Sequence, residues 1–179
     1  MYQPAPADHR IAALAALAIG LQLIEAAIPS PVPGIKPGLA NVITLVALVA
    51  LGWRAALAVT VLRIFGASLL LGTLLSPGFW LSLTGALAAL AVLALLHPFF
   101  PRHISALGMA VTAAITHTLG QFMFAWVLII PHPQLPILLP PLLLAALITG
   151  VVTGILATSV LADSRIQQHV RDLRTNRTG

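Results

Sequence analysis

Polar residues are so sparse along this chain that they serve as punctuation between apolar runs. Bracketing the runs by charged residues and by Pro and Gly gives six segments, at approximately 10–28, 39–52, 54–75, 78–97, 103–130 and 136–162. Most hold the roughly 20 apolar residues that one helical crossing of a bilayer requires. The pattern predicts an all-α polytopic membrane protein, a bundle of about six transmembrane helices forming a single domain over residues 1–162. A polar, basic tail over 163–179 is expected to lie in the cytoplasm as a solvated end. The run after Met1–Arg10 is long for a secretory signal and has no small-residue cleavage site behind it, so it is expected to be an anchor.

The second segment departs from the pattern. Leu39–Leu51 is 13 residues, about 20 Å of helix at 1.5 Å per residue, against a hydrocarbon core of about 30 Å. The stretch before it, Ile28-Pro29-Ser30-Pro31-Val32-Pro33-Gly34-Ile35-Lys36-Pro37-Gly38, would have to complete the crossing as a re-entrant loop. Irregular backbone at that depth survives only when buried in protein or lining a wet cavity. Asn41 is expected to cap the short helix, whose N-terminus beside Lys36 would then form an anion site. A rigid connector carrying a snorkelling Lys36 is the plainer alternative.

Charge adds topology to this picture. Arg10, Arg54, Arg102 and the tail residues Arg165, Arg171, Arg174 and Arg177 fall on alternate connections, whereas the loops at Ser76-Pro77 and Pro131–Pro136 carry no Lys or Arg. The positive-inside rule therefore places both termini in the cytoplasm. Composition agrees: 59% of residues are hydrophobic, 7% charged, and the mean hydropathy is +1.03. A soluble domain, with about 25% charged residues, is excluded. The net charge of +5 sits at helix ends, where lipid headgroups read it, so nucleic acid is not an expected partner. With no Cys, disulfides and thiolate metal sites are ruled out.

Three polar features lie within apolar segments. Arg63 falls about 13 Å into the third helix, where an unpaired charge costs about 3 kcal/mol. Glu25, near the outer end of the first helix, is its natural partner by charge; a ligand or backbone carbonyls are the alternative. His117 and Gln121, four residues apart, share one face of the fifth helix, where interhelical hydrogen bonding competes with ligand binding as an explanation. Small residues also recur every four positions, as in Ala12 and Ala16, Ser82 and Ala86, Thr116 and Gly120, and Gly150 and Gly154. Such spacing permits close packing within the bundle or docking of another membrane subunit. No Walker A, H-E-x-x-H, G-x-S-x-G or Asp-rich motif is present, so no catalytic, metal or cofactor residue is expected and the chain points away from an enzyme.

The run from Ile28 through Pro33-Gly34-Ile35-Lys36-Pro37-Gly38-Leu39-Ala40-Asn41, with Arg63, Ser82-Leu83-Thr84-Gly85 and Thr116-His117-Thr118-Leu119-Gly120-Gln121, resembles the bacterial family labelled heptaprenyl diphosphate synthase component I, also called Gx transporter. The resemblance covers roughly residues 10–160. The six-helix plan is also similar to the substrate-binding S components of energy-coupling factor transporters. That likeness implies a lid formed by the loop with Pro33, Gly34, Pro37 and Gly38, and a docking motif at Ala12 and Ala16 for a membrane coupling subunit with its ATPases. The expected function is capture of a small anionic or amphipathic solute from the outer face by Lys36, Asn41, Arg63, His117, Gln121 and Glu25. Two alternatives stay open: a non-catalytic accessory component presenting isoprenoid substrates to a soluble polyprenyl synthase, and a scaffold of a redox or quinone-linked complex.

Overall fold

A computed structural model describes residues 6–27 and 38–162. Its helices are α1 (Pro6–Ala27), α2 (Leu39–Leu51), α3 (Trp53–Leu70), α4 (Pro77–Leu96), α5 (Ala106–Phe124) and α6 (Leu139–Ala162). Five of these elements, extended by adjoining helical turns at α4, α5 and α6, are long and apolar enough to cross a membrane, and α2 is not. The chain is a multi-pass helical membrane protein. The loop expected to complete the crossing of α2, including Pro33, Gly34, Lys36 and Pro37, lies outside the described residues, as does the tail over 163–179.

Helix ends follow from local chemistry. α4 starts at Ser76, whose hydroxyl accepts from the Phe79 N–H at 3.3 Å, with Pro77 at the first helical position, where its missing N–H costs nothing. α5 starts at Ser105, which accepts from the Gly108 N–H at 3.1 Å. α3 stops at Leu70, short of the expected residue 75, because Gly72 and Leu75 take φ of 66° and 64° in a turn no helix can enter. Beyond Phe124 the backbone widens into a π-helical turn over Ala125–Ile129, and a 3-10 turn over Leu135–Leu138 leads into α6.

Asn41 does not cap α2. The cap is Gly38, at φ 76°, a left-handed conformation that glycine adopts without penalty. Asn41 is already the third helical residue, and its N–H donates to the Gly38 carbonyl at 2.9 Å. The first N–H of the helix, that of Leu39, is met by Glu25 Oε1 from α1. The positive end of α2 thus faces a carboxylate of the chain itself.

Packing between neighbours closes a ring in the order α1, α3, α4, α5, α6 and α2, with α2 returning to α1 and also touching α3 and α5. Apolar side chains are turned outward, among them Leu69, Leu95, Val127, Leu144, Ile148 and Ile155, while Glu25, Thr44, Thr60, Arg63, Ser68 and Thr153 are buried. This inversion of the soluble pattern suits a solvent of lipid tails. Inside the ring lies the space that defines the site.

Candidate functional site

All six helices contribute to one cavity of about 450 Å³. Along α4 its lining runs from Gly78 to Leu93, about 22 Å of helix, so the cavity reaches most of the way across the bundle. Its borders at Gly78, Ile130 and Leu135 lie at the end bearing the α3–α4 and α5–α6 connections. Arg10, Arg54 and Arg102 belong to the opposite end. α2 begins well inside the bundle, because Gly38 lies beside Thr153, more than halfway along α6.

The lining has two zones. Toward the arginine-bearing end the floor is apolar, made by Leu45, Leu90, Leu93 and Ala110. Above it runs a polar band: Thr44 and Asn41 on α2, Thr60 and Arg63 on α3, Ser82 on α4, His117 and Gln121 on α5, Thr149 and Thr153 on α6, with Gln22 and Glu25 on α1. The band arises because each helix turns one stripe inward at spacings of three and four. On α1 the stripe reads Ala15, Ala18, Gln22, Glu25; on α3 it reads Ala56, Thr60, Arg63, Ala67.

Hydrogen bonding inside the band is incomplete. Thr44 and Thr60 join hydroxyls at 3.3 Å, tying α2 to α3, and Thr153 donates to the Thr149 carbonyl at 2.7 Å. Gln121 Nε2 lies 3.0 Å from His117 Nε2. Among the described residues, three buried atoms have no hydrogen-bond partner: Arg63 Nε, His117 Nδ1 and Gln22 Oε1. Arg63 is only 5% exposed, and Glu25 is its electrostatic counterpart in the band. Leaving a buried polar group unpaired costs about 1–3 kcal/mol. All three belong to residues that line this one cavity.

The wall carrying His117 depends on small residues. A side chain at Gly120 would lie 2.8 Å from Ala88 Cβ and 3.1 Å from the Thr84 carbonyl, and one at Gly85 would meet Gln121 Cγ at 2.6 Å. α4 and α5 therefore cross almost backbone to backbone, which brings Gln121 and His117 against the cavity. The recurring small residues of α5 and α6 serve the same internal packing, with Gly150 and Gly154 seated on Val111 and Leu107. Ala12 and Ala16 do not: both are exposed and border a separate groove between α1 and α3.

Of the residues singled out from sequence, Glu25, Gly38, Asn41, Arg63, His117 and Gln121 line this one cavity. Lys36, Pro33, Gly34 and Pro37 fall outside the described residues. Sequence reading missed Gln22, Thr44, Thr60, Thr149 and Thr153. The usable signal was the stripe, since Gln22 stands three residues before Glu25, and Thr60 three before Arg63. Among the described residues no three His, Asp or Glu side chains gather where they could hold a metal ion.

A family profile for heptaprenyl diphosphate synthase component I matches residues 14–160. The chain belongs to that family. The match runs from α1 through α6 and takes in every helix of the ring, so the cavity lies wholly within the family's shared region. No curated protein and no solved structure matches the chain.

Proposed function

We propose that this member of the heptaprenyl diphosphate synthase component I family is the solute-capturing membrane subunit of an uptake transporter. It takes a small amphipathic molecule from the outer face. The observation that carries this reading is Arg63: a guanidinium buried at mid-membrane depth, with an unpartnered Nε beside an open cavity. An intramembrane charge is expensive, and a purely structural arginine would have its donors met by the chain. The two-zone lining supports the same conclusion, since an apolar floor below a polar band is complementary to a solute with an apolar body and a polar head.

Orientation follows from charge. With Arg10, Arg54 and Arg102 on the cytoplasmic side by the positive-inside rule, the cavity border at Gly78, Ile130 and Leu135 faces outward. The α1–α3 groove at Ala12 and Ala16 is then the place for a coupling subunit with its ATPases. The family's name supports a second reading, an accessory component that presents an isoprenoid diphosphate to a soluble synthase.

The deciding experiment is mass spectrometry of small molecules that co-purify with the detergent-solubilised protein, comparing wild type with Arg63→Ala. The expected result is a stoichiometric compound in wild type, reduced at least tenfold in the variant. If wild type carries no compound but retains a polyprenyl synthase, the accessory reading replaces this one.

A further inference from the structure

We infer that Glu25 is a positioning residue: its carboxylate reaches from α1 to the first N–H of α2 and, through that bond, sets where Asn41 and Thr44 meet the solute. This deepens the solute-capture reading and rests on it for what is positioned.

The need for such a residue comes from the length of α2. A helix of 13 residues is about 20 Å long. Its C-terminal end lies at the arginine-bearing face, beside Arg54, so its N-terminus falls inside the bundle, next to Thr153. The first N–H groups of a helix have no partner within it, and at a soluble surface water supplies one. At this depth the chain supplies it. Gly38, at the cap position, has no side chain to offer, and the Leu39 N–H donates to Glu25 Oε1 across 14 positions of sequence. Glu25 is itself only 5% exposed, so the bond forms where an unmade one is costly.

Two ties then fix the first half of α2. Glu25 holds its first residue to α1, and five residues further on the Thr44 and Thr60 hydroxyls, 3.3 Å apart, hold it to α3. Asn41 lies between the two ties, and both Asn41 and Thr44 line the cavity. Releasing the first tie leaves the opening turn of α2, with Asn41 on it, anchored only from its far side. Helix ends fray when their terminal groups lose their partners.

The same carboxylate is the electrostatic counterpart of Arg63 on α3. Its bond and its charge are separable by chemistry. Glu25→Gln keeps the reach and an acceptor oxygen but has no charge. Glu25→Asp keeps the charge but is one methylene, about 1.5 Å, too short for the Leu39 N–H. Glu25→Ala removes both. A positioning role therefore predicts rescue by Gln and not by Asp. A role in charge, whether toward Arg63 or toward the solute, predicts the reverse.

The test uses the full-length protein in detergent with two readouts. The chain has no Cys, so Asn41→Cys places a single thiol on the first turn of α2, and its labelling rate by a charged thiol reagent reports whether that turn is held. Retention of the co-purifying compound is measured separately, with Asn41 intact. Glu25→Gln is expected to label within about twofold of the wild-type rate and to keep the compound within about threefold. Glu25→Asp and Glu25→Ala are expected to label at least fivefold faster and to lose about tenfold of the compound, the scale of one lost bond to a charged group. If Glu25→Ala does not fold, the contrast between Gln and Asp decides. Retention by Asp with loss by Gln would overturn the inference in favour of charge and leave solute capture standing. Loss of the compound in all three variants at unchanged labelling would also overturn it, making Glu25 a direct solute contact. If wild type carries no compound, solute capture falls, and the labelling contrast alone supports or overturns the hold of Glu25 on α2.

Discussion

The central cavity and the α1–α3 groove are nearly equal in volume, about 450 and 420 Å³, and opposite in chemistry. The groove is bordered by Ala12, Ala15, Ala16, Ile19, Leu62, Phe65, Gly66, Leu69 and Leu74, so lipid tails satisfy every surface it presents. Lipid cannot satisfy the cavity, where Arg63 Nε, His117 Nδ1 and Gln22 Oε1 are buried without partners. In a membrane protein, concavity alone therefore does not mark a ligand site. The cavity differs in presenting donors and acceptors whose burial without a partner has a cost that water or a bound molecule can remove.

The largest effect that distinguishes the two regions is expected from a single methyl group. In Gly120→Ala, on the cavity wall, the new methyl meets Ala88 Cβ, the Thr84 carbonyl and Gly85 Cα, all within 3.3 Å. Two helix backbones must separate, at a cost of about 2 kcal/mol, and His117 and Gln121 move with α5. In Gly66→Ala, beside the groove, the closest atom is Ile19 Cδ1, the end of a flexible side chain that can rotate away. Its cost is offset by the roughly 1 kcal/mol by which Ala outranks Gly in a helix. Thermal unfolding in detergent is expected to show a clear loss for Gly120→Ala and a change within about 0.5 kcal/mol for Gly66→Ala. Equal losses would mean that the α4–α5 crossing is no tighter than the α1–α3 one.

A smaller effect is expected at Gln121. Gln121→Leu keeps the approximate volume but removes the hydrogen-bond partner of His117 Nε2. Loss of one such bond is worth about 1 kcal/mol, roughly a fivefold fall in solute retention, with helix packing unchanged. Gln121→Glu separates the hydrogen bond from side-chain bulk: it returns a polar partner to His117 but adds a negative charge to the cavity. If Gln121→Leu retained solute as wild type does, the His117–Gln121 pair would be interhelical glue rather than part of the solute site.

Much of this arrangement was legible in the sequence because it is local. Apolar run length, alternating arginines and the 13-residue second helix follow from counting residues between charges and prolines, and the α2 boundaries agree with the structure. The start of α2 was not legible, since a left-handed Gly38 and a carboxylate 14 residues earlier in the chain, Glu25, take the roles that Asn41 was expected to fill. The hydroxyls of the polar band were missed for a different reason. A threonine in an apolar helix commonly bonds to its own backbone, as Thr153 does to the Thr149 carbonyl, so its presence alone says nothing about a site. Only the ring order, a property of contacts far apart in sequence, brings Gln22 and Thr60 to the same space as His117.

The smallest effect on solute binding is expected where the groove itself is filled. Ala12 and Ala16 are exposed, so the double substitution Ala12→Leu and Ala16→Leu adds apolar volume into lipid, changing unfolding by less than about 0.5 kcal/mol. Solute retention should stay within about twofold of wild type, as α1 keeps Gln22 and Glu25 on its other face. If the groove seats a helix of a coupling subunit, the same change blocks close backbone approach, and co-purification of that subunit with the tagged protein falls sharply. A retained partner would assign the groove to lipid, whereas loss of solute would mean that the two concavities communicate through α1 and are not the independent surfaces their chemistry implies.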